Sequence, residues 1–214
     1  MTYYETEAIV YTIVSFAVLA SLSKIKLLNK ASLIVTMLLF CTLISEVAAD
    51  INVRIEGFNT RVYNLFCPIQ FLLTSIYFNY TIDTFKDANI GKYIGIVGCA
   101  LGIIDYFFFE IPPFRNTIYL LIEGITIVGM SLYAFYRILL NDDDLRIITY
   151  PHFWFTTLFL CYWTCTTLFW GSYDYISDHM GNILGNILLI VNIITYLGFG
   201  TVFLLYRKMQ QPNE

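Results

Sequence analysis

The sequence predicts an all-α, polytopic membrane protein built as a seven-transmembrane-helix bundle, and three observations carry that prediction. The 214 residues are 58% hydrophobic and 13% charged, with a mean hydropathy of +0.68, values that a soluble domain with a polar surface hardly reaches. Seven apolar stretches follow one another, each bounded by charges, Pro, Gly or Asn. Lys and Arg fall very unequally on the two sides of those stretches. A crossing helix takes about 20 residues plus a short loop, so this length admits about six to eight crossings and no soluble catalytic domain. The expected organisation is a single transmembrane domain over residues 1–214.

The amino-terminal run MTYYETEAIV lacks the basic region of a secretory signal, so the first segment, about residues 8–28, is expected to be a retained helix. It closes on a basic turn with Lys24, Lys26 and Lys30, and the second segment covers about 31–50. Arg54, Gly57, Asn59 and Arg61 mark the loop before the third, about 62–84. The fourth covers about 93–110, and Pro112-Pro113 separates it from the fifth, about 115–140. After the acidic run Asn141 to Asp144, Pro151 opens the sixth, about 151–175, as a favourable first-turn residue. The seventh covers about 182–206, with Asn182 as its cap, and leaves a polar tail.

Basic residues are retained on the cytoplasmic side of a membrane. One side takes nine, Lys24, Lys26, Lys30, Lys86, Lys92, Arg137, Arg146, Arg207 and Lys208; the other takes three, Arg54, Arg61 and Arg115. The amino terminus is therefore expected outside and the carboxy terminus in the cytoplasm, as an odd number of crossings requires. This orientation gathers the intramembrane polar residues in the outer half.

Glu123 stands out among them, because it lies well inside the apolar run Ile118 to Leu140. An ionisable group at bilayer depth costs roughly 2.5–3.5 kcal/mol on insertion scales, so it faces a bundle interior, pairs with another polar group or lines a wet cavity. At about 100° per residue, Asn116, Tyr119, Glu123, Thr126 and Met130 share one helical face. Thr156, Trp163, Thr167, Trp170 and Asp174 form a stripe on the sixth segment; Asn182, Asn186, Asn192 and Tyr196 fall within about 120° on the seventh. The expected ligand pocket draws on Glu46, Asn64, Gln70, Asp105, Tyr119, Glu123, Trp163, Asn186, Asn192 and Tyr196. Glu46 lies nearer an interface, and Asp50, Glu110 and Asp174 read as wet helix ends. The competing reading of Glu123 is structural: an acid bonded to Asn or Tyr on a neighbouring helix.

Other residues exclude chemistries. Cys41, Cys67, Cys99, Cys161 and Cys165 all lie in apolar segments, where thiols act as small hydrophobes, so no disulfide is expected. His152 and His179 sit at segment boundaries, where solvation is expected, without the company a metal hydrolase needs. No nucleophile motif appears, and a net charge of -4 offers no basic surface for nucleic acid. No enzyme activity, cofactor or metal is expected. Gly91, Gly95, Gly98 and Gly102 predict close helix packing inside one bundle rather than a dimer face.

The run Asn192-Ile-Ile-Thr-Tyr196-Leu-Gly-Phe-Gly-Thr-Val-Phe-Leu-Leu, with Arg61 opening the third segment and Trp163 on the sixth, resembles helix 7 and its surroundings in microbial rhodopsins. The resemblance covers a few tens of residues and implies a shared bundle shape. Tyr196 stands where that family carries its retinal-linking lysine, so no Schiff base is implied.

These features together predict a receptor-like or sensory protein of the cell membrane with an outward-facing polar pocket. The alternatives are a small-solute or proton-coupled transporter, or an accessory subunit of a membrane complex. Expected partners are the lipid bilayer, a small-molecule ligand from the outer side, and a cytoplasmic or membrane protein.

Overall fold

The computed structural model describes residues 3–109, 116–140, 147–172 and 178–210, and the regular structure among them is helical throughout. Helices α1 (Tyr3–Ser23), α2 (Lys30–Glu56) and α3 (Thr60–Thr81) are followed by the six-residue α4 (Asp83–Ala88), then α5 (Ile90–Phe108), α6 (Thr117–Leu140), α7 (Pro151–Ser172) and α8 (Asp178–Gln210). Five of them, α1, α2, α5, α6 and α8, are long and apolar enough to cross a membrane. Helices α3 and α7 have 22 residues each and hold their polar side chains inside: Asn64, Thr74, Ser75 and Asn79 on one, His152, Thr156 and Thr166 on the other. Large apolar side chains cover the outside instead, with Leu19 66%, Ile125 65% and Leu168 68% exposed. That is the reverse of a soluble protein and the make-up of a membrane protein.

Several boundaries differ from the sequence expectation. Helix α1 stops at Ser23 rather than near 28, because Lys24 and Lys26 leave the helix for a 3-10 turn over Ile25–Leu27, closed by the Leu27 N–H on the Lys24 carbonyl at 2.8 Å. Helix α2 continues past Asp50 to Glu56. An Asp50–Arg54 pair (2.9 Å) braces the added turn, and Gly57, at φ +84°, supplies the left-handed exit. Helix α3 ends at Thr81, and α4, too short to show a period in the sequence, turns the chain until Asn89 closes it at φ 53°. Helix α8 begins at Asp178, so Asn182 lies inside it rather than capping it. Glu110, Pro112-Pro113, Arg115, the run Asn141 to Arg146, Asp174 and the tail beyond Gln210 lie outside the described residues, as do the side chains of His179, Asn182 and Lys208.

The helices cluster into two compact units, residues 30–123 in one and residues 1–29 with 124–214 in the other. In the first, α3 packs against both α2 and α5. The four glycines of α5 make the seam with α3. A Cβ at Gly91 would come 2.6 Å from the Ser75 carbonyl oxygen, one at Gly95 3.0 Å from Ser75 Cβ, one at Gly102 2.6 Å from Pro68 Cγ, and one at Gly98 would collide with the Phe71 ring. The spacing serves close packing within one unit, as the sequence predicts.

In the second unit α8 packs against α1 and α7. Here rings fill the seam: Phe155–Phe203 centroids lie 5.0 Å apart and Phe159–Phe199 5.2 Å, with Tyr206 stacked on Phe203. His152 is buried, contrary to its expected solvation. The Asn29 amide donates to His152 Nε2 at 2.8 Å, and the Tyr150 and Phe155 rings lie against the imidazole. The five cysteines are free thiols.

Candidate functional site

The start of α6 organises the site. The Asn116 carbonyl accepts the Leu120 N–H at 3.0 Å and so begins the helical ladder. From there Tyr119 and Glu123 follow at three and seven residues, on one face. All three side chains are enclosed, with Asn116 and Glu123 fully buried and Tyr119 3% exposed. The same face continues along the helix to Met130, which is buried, and Ile127 beside it is fully buried too. The polar row thus ends on apolar packing.

Helices α3 and α5 supply the surroundings. The Asn116 backbone N–H points at Asn64 Oδ1 across 3.5 Å, a long contact. The Tyr119 ring meets Phe71 edge-on, with centroids 6.5 Å apart and planes at 77°. It also lies over Gly102, where a Cβ would come 2.6 Å from Tyr119 Cζ. The ionisable neighbours of Tyr119 are Glu123, Cys67, Cys99 and Asp105. Asn64, Asp105, Tyr119 and Glu123, expected as site residues from the sequence, are therefore brought together, all within residues 30–123.

Within this cluster several unpartnered polar atoms lie on one helical face. Asn116 Nδ2 and Oδ1, Tyr119 Oη and both Glu123 carboxyl oxygens are buried without a hydrogen-bond partner among the described residues. A buried polar group left unpaired costs about 1–3 kcal/mol, and three such side chains lie in this one row. The structural reading, in which Glu123 ties helices together through an Asn or Tyr, is not what the structure contains: the acid sits beside Tyr119 and bonds neither that residue nor an asparagine.

The other expected site residues stand apart from this row. Glu46, half-buried on α2, accepts a hydrogen bond from the Tyr63 hydroxyl of α3 at 2.8 Å. Gln70 is buried on α3. Trp163 is 1% exposed on α7, and its indole Nε1 has no partner among the described residues. Asn192 and Tyr196 are half-buried on α8, whereas Asn186 is exposed. Asn186 lies about 120° around the helix from Asn192 and off the face that Phe199 and Phe203 bury, which explains its exposure. Trp163, Asn186, Asn192 and Tyr196 belong to the unit of residues 1–29 and 124–214.

The site list read from the sequence omits Asn116, although its spacing from Tyr119 and Glu123 was the available signal. The wall of Pro68, Phe71 and Gly102 leaves no such signal, since it arises from the approach of α3 and α5. Among the described residues no group of three or more His, Cys, Asp or Glu side chains is placed to hold a metal ion. No family model, curated protein or solved structure matches the chain, so the likeness to microbial rhodopsins stays a local one.

Proposed function

We propose that this chain is a receptor-like or sensory protein of the cell membrane, non-enzymatic, with seven crossings, the amino terminus outside and the carboxy terminus in the cytoplasm. Its ligand pocket is the polar cluster at the start of α6, entered from the outer side. The observation that carries the reading is a fully buried Glu123 in line with Tyr119 and Asn116, their polar atoms enclosed yet unpartnered. Intramembrane ionisable groups are expensive and mark functional sites by default.

Two further observations support the crossings. Helices α3 and α7 match the length of the five apolar ones and bury their polar faces, as interior members of a bundle do. The nine-to-three distribution of Lys and Arg supports the orientation. Helix α3 also runs unbroken through Pro68, whereas transporters place discontinuous helices at the midplane, so the sensory reading is preferred.

Reporter fusions test the topology. A reporter after Glu214 is expected in the cytoplasm and one between Ser177 and Gly181 outside; both on one side would remove the seven-crossing arrangement. Asn116→Cys then tests the pocket. A small membrane-impermeant thiol reagent added outside should label this variant faster than the parent, and equal rates would show that nothing enters there.

A further inference from the structure

Packing within the aromatic unit brings basic residues that are far apart in the sequence to one end of it. Gly200 of α8 lies against the Phe16 ring of α1. Beyond that contact α1 leads on to Asn29, which bonds His152 of α7, and α8 leads on to Phe203 and Tyr206, of which Phe203 meets Phe155 of α7. The two helices therefore run the same way. Seven residues on from the Phe16–Gly200 contact, about 10 Å at 1.5 Å per residue, α1 reaches Ser23 and α8 reaches Arg207. Helix α6 ends there too, because the Phe135 and Phe153 rings lie 5.4 Å apart and set its last turns against the first turn of α7. Lys24, Lys26, Arg137 and Arg207 thus share one end of the unit of residues 1–29 and 124–214.

These four cations lack counter-charges. Arg54 and Arg61 pair with Asp50 and Glu56 in the other unit, whereas Lys24, Lys26, Arg137 and Arg207 have no carboxylate within reach among the described residues. Glu7 and Asp178 stand near the starts of α1 and α8, the opposite end. Arg137 is half-buried with its Nε enclosed and unpartnered, so its charge must be met through the terminal nitrogens of the guanidinium. Exposed apolar side chains stand next to the cations: Ile25 and Leu27 around Lys26, Leu140 beyond Arg137, Leu204 before Arg207. Side chains of both kinds on one rim belong at the boundary between acyl chains and headgroups, where long basic residues place their stems in hydrocarbon and their charges among phosphates.

We propose that Lys24, Lys26, Arg137 and Arg207 form a binding site for the phosphate of an anionic lipid headgroup, at the membrane face where α1, α6 and α8 end. The two guanidinium groups suit a phosphate, which they can grip through paired N–H donors, and the two ammonium groups add point charges. The site is separate from the polar cluster of α6 and does not depend on it.

Native mass spectrometry of the full chain in detergent tests this, by titration with phosphatidylglycerol and with phosphatidylcholine. Phosphatidylglycerol is expected to bind at least about tenfold more tightly, and Arg137→Gln, Arg207→Gln and Lys24→Gln/Lys26→Gln should each weaken it by about fivefold or more without changing phosphatidylcholine binding. Arg207 and Lys26 are exposed, so their variants decide the matter if Arg137→Gln fails to fold. Lys86→Gln, an exposed lysine of α4 in the other unit, should bind like the parent. Equal affinity for the two lipids in the parent would overturn the site, as when Asp142 to Asp144, next after α6 in the sequence, already neutralise the cluster. A loss in Lys86→Gln as large as in Arg207→Gln would overturn it as well, leaving only a general charge effect. Displacement of phosphatidylglycerol by millimolar inorganic phosphate, at ionic strength matched with chloride, would overturn a lipid as the occupant.

Discussion

The two units hold helices together in different ways. In residues 30–123 the α3–α5 seam sets the glycine face of one helix against the other, with Gly91, Gly95, Gly98 and Gly102 admitting Asn79, Ser75, Phe71 and Pro68. In the other unit the α7–α8 seam is ring against ring, with Phe155, Phe159, Phe199 and Phe203 interleaved. Lipid tails are as apolar as leucine, so neither seam gains from leaving water; both rely on dispersion contacts and shape. The small-residue seam leaves little room for adjustment, and the polar row of α6 is seated against it. The aromatic seam has bulk to lose but no acid to house.

The largest expected effect breaks the aromatic seam. Phe203 is fully buried between Phe155 and Tyr206, so Phe203→Ala removes a ring whose contacts cannot be replaced by collapse around it. A loss of about 3–5 kcal/mol is expected, read as a fall in unfolding midpoint in detergent. Next comes the glycine seam. Gly98→Leu forces the Phe71 ring away and should cost about 1–3 kcal/mol or more, whereas Gly129→Leu, with nothing near its Cβ position, should melt like the parent. Equal melting of the two leucine variants would mean that α5 does not lie on α3 as described.

Glu123 sharpens the contrast by changing sign. From the sequence alone, Glu123→Leu is expected to strand asparagine or tyrosine partners on neighbouring helices and to destabilise the protein. The structure gives the carboxyl no such partner, so the substitution removes two unpaired buried oxygens and installs a side chain of similar volume. Glu123→Leu is now expected to melt at or above the parent, by up to about 1–3 kcal/mol, and Glu123→Gln close to it. A stabilised variant that no longer responds to ligand would identify an acid kept for function at the expense of stability. A marked destabilisation by leucine with retention by glutamine would restore the structural reading.

Legibility followed the physics of each signal. The helical class and the five helices long and apolar enough to cross a membrane could be read because apolar length is a strong signal, and the face shared by Asn116, Tyr119 and Glu123 could be read because 100° spacing fixes it within one helix. Helix α4 could not, since six residues contain no repeat. The exposure of Asn186 could not either, because which face of α8 turns inward is decided by Phe199 and Phe203 meeting Phe155 and Phe159. His152 shows the same limit: a histidine at a segment boundary looks solvated until a distant residue, Asn29, closes over it.

That Asn29–His152 contact carries the smallest expected effect and the cleanest measurement. Asn29 lies in the link between the 3-10 turn and α2, and His152 in the first turn of α7, both within the aromatic unit. The bond is a single neutral pair at 2.8 Å, and polar groups released within a membrane protein find other partners. Couplings of this kind average about 0.6 kcal/mol and reach about 1.7. A double-mutant cycle with Asn29→Ala, His152→Leu and their combination should therefore return about 0.6 kcal/mol, a shift of about 1–3 °C in midpoint for a chain of this size. A coupling indistinguishable from zero would mean that the Asn29 amide does not help to hold the imidazole, and that this end of the aromatic unit does not draw its stability from that bond.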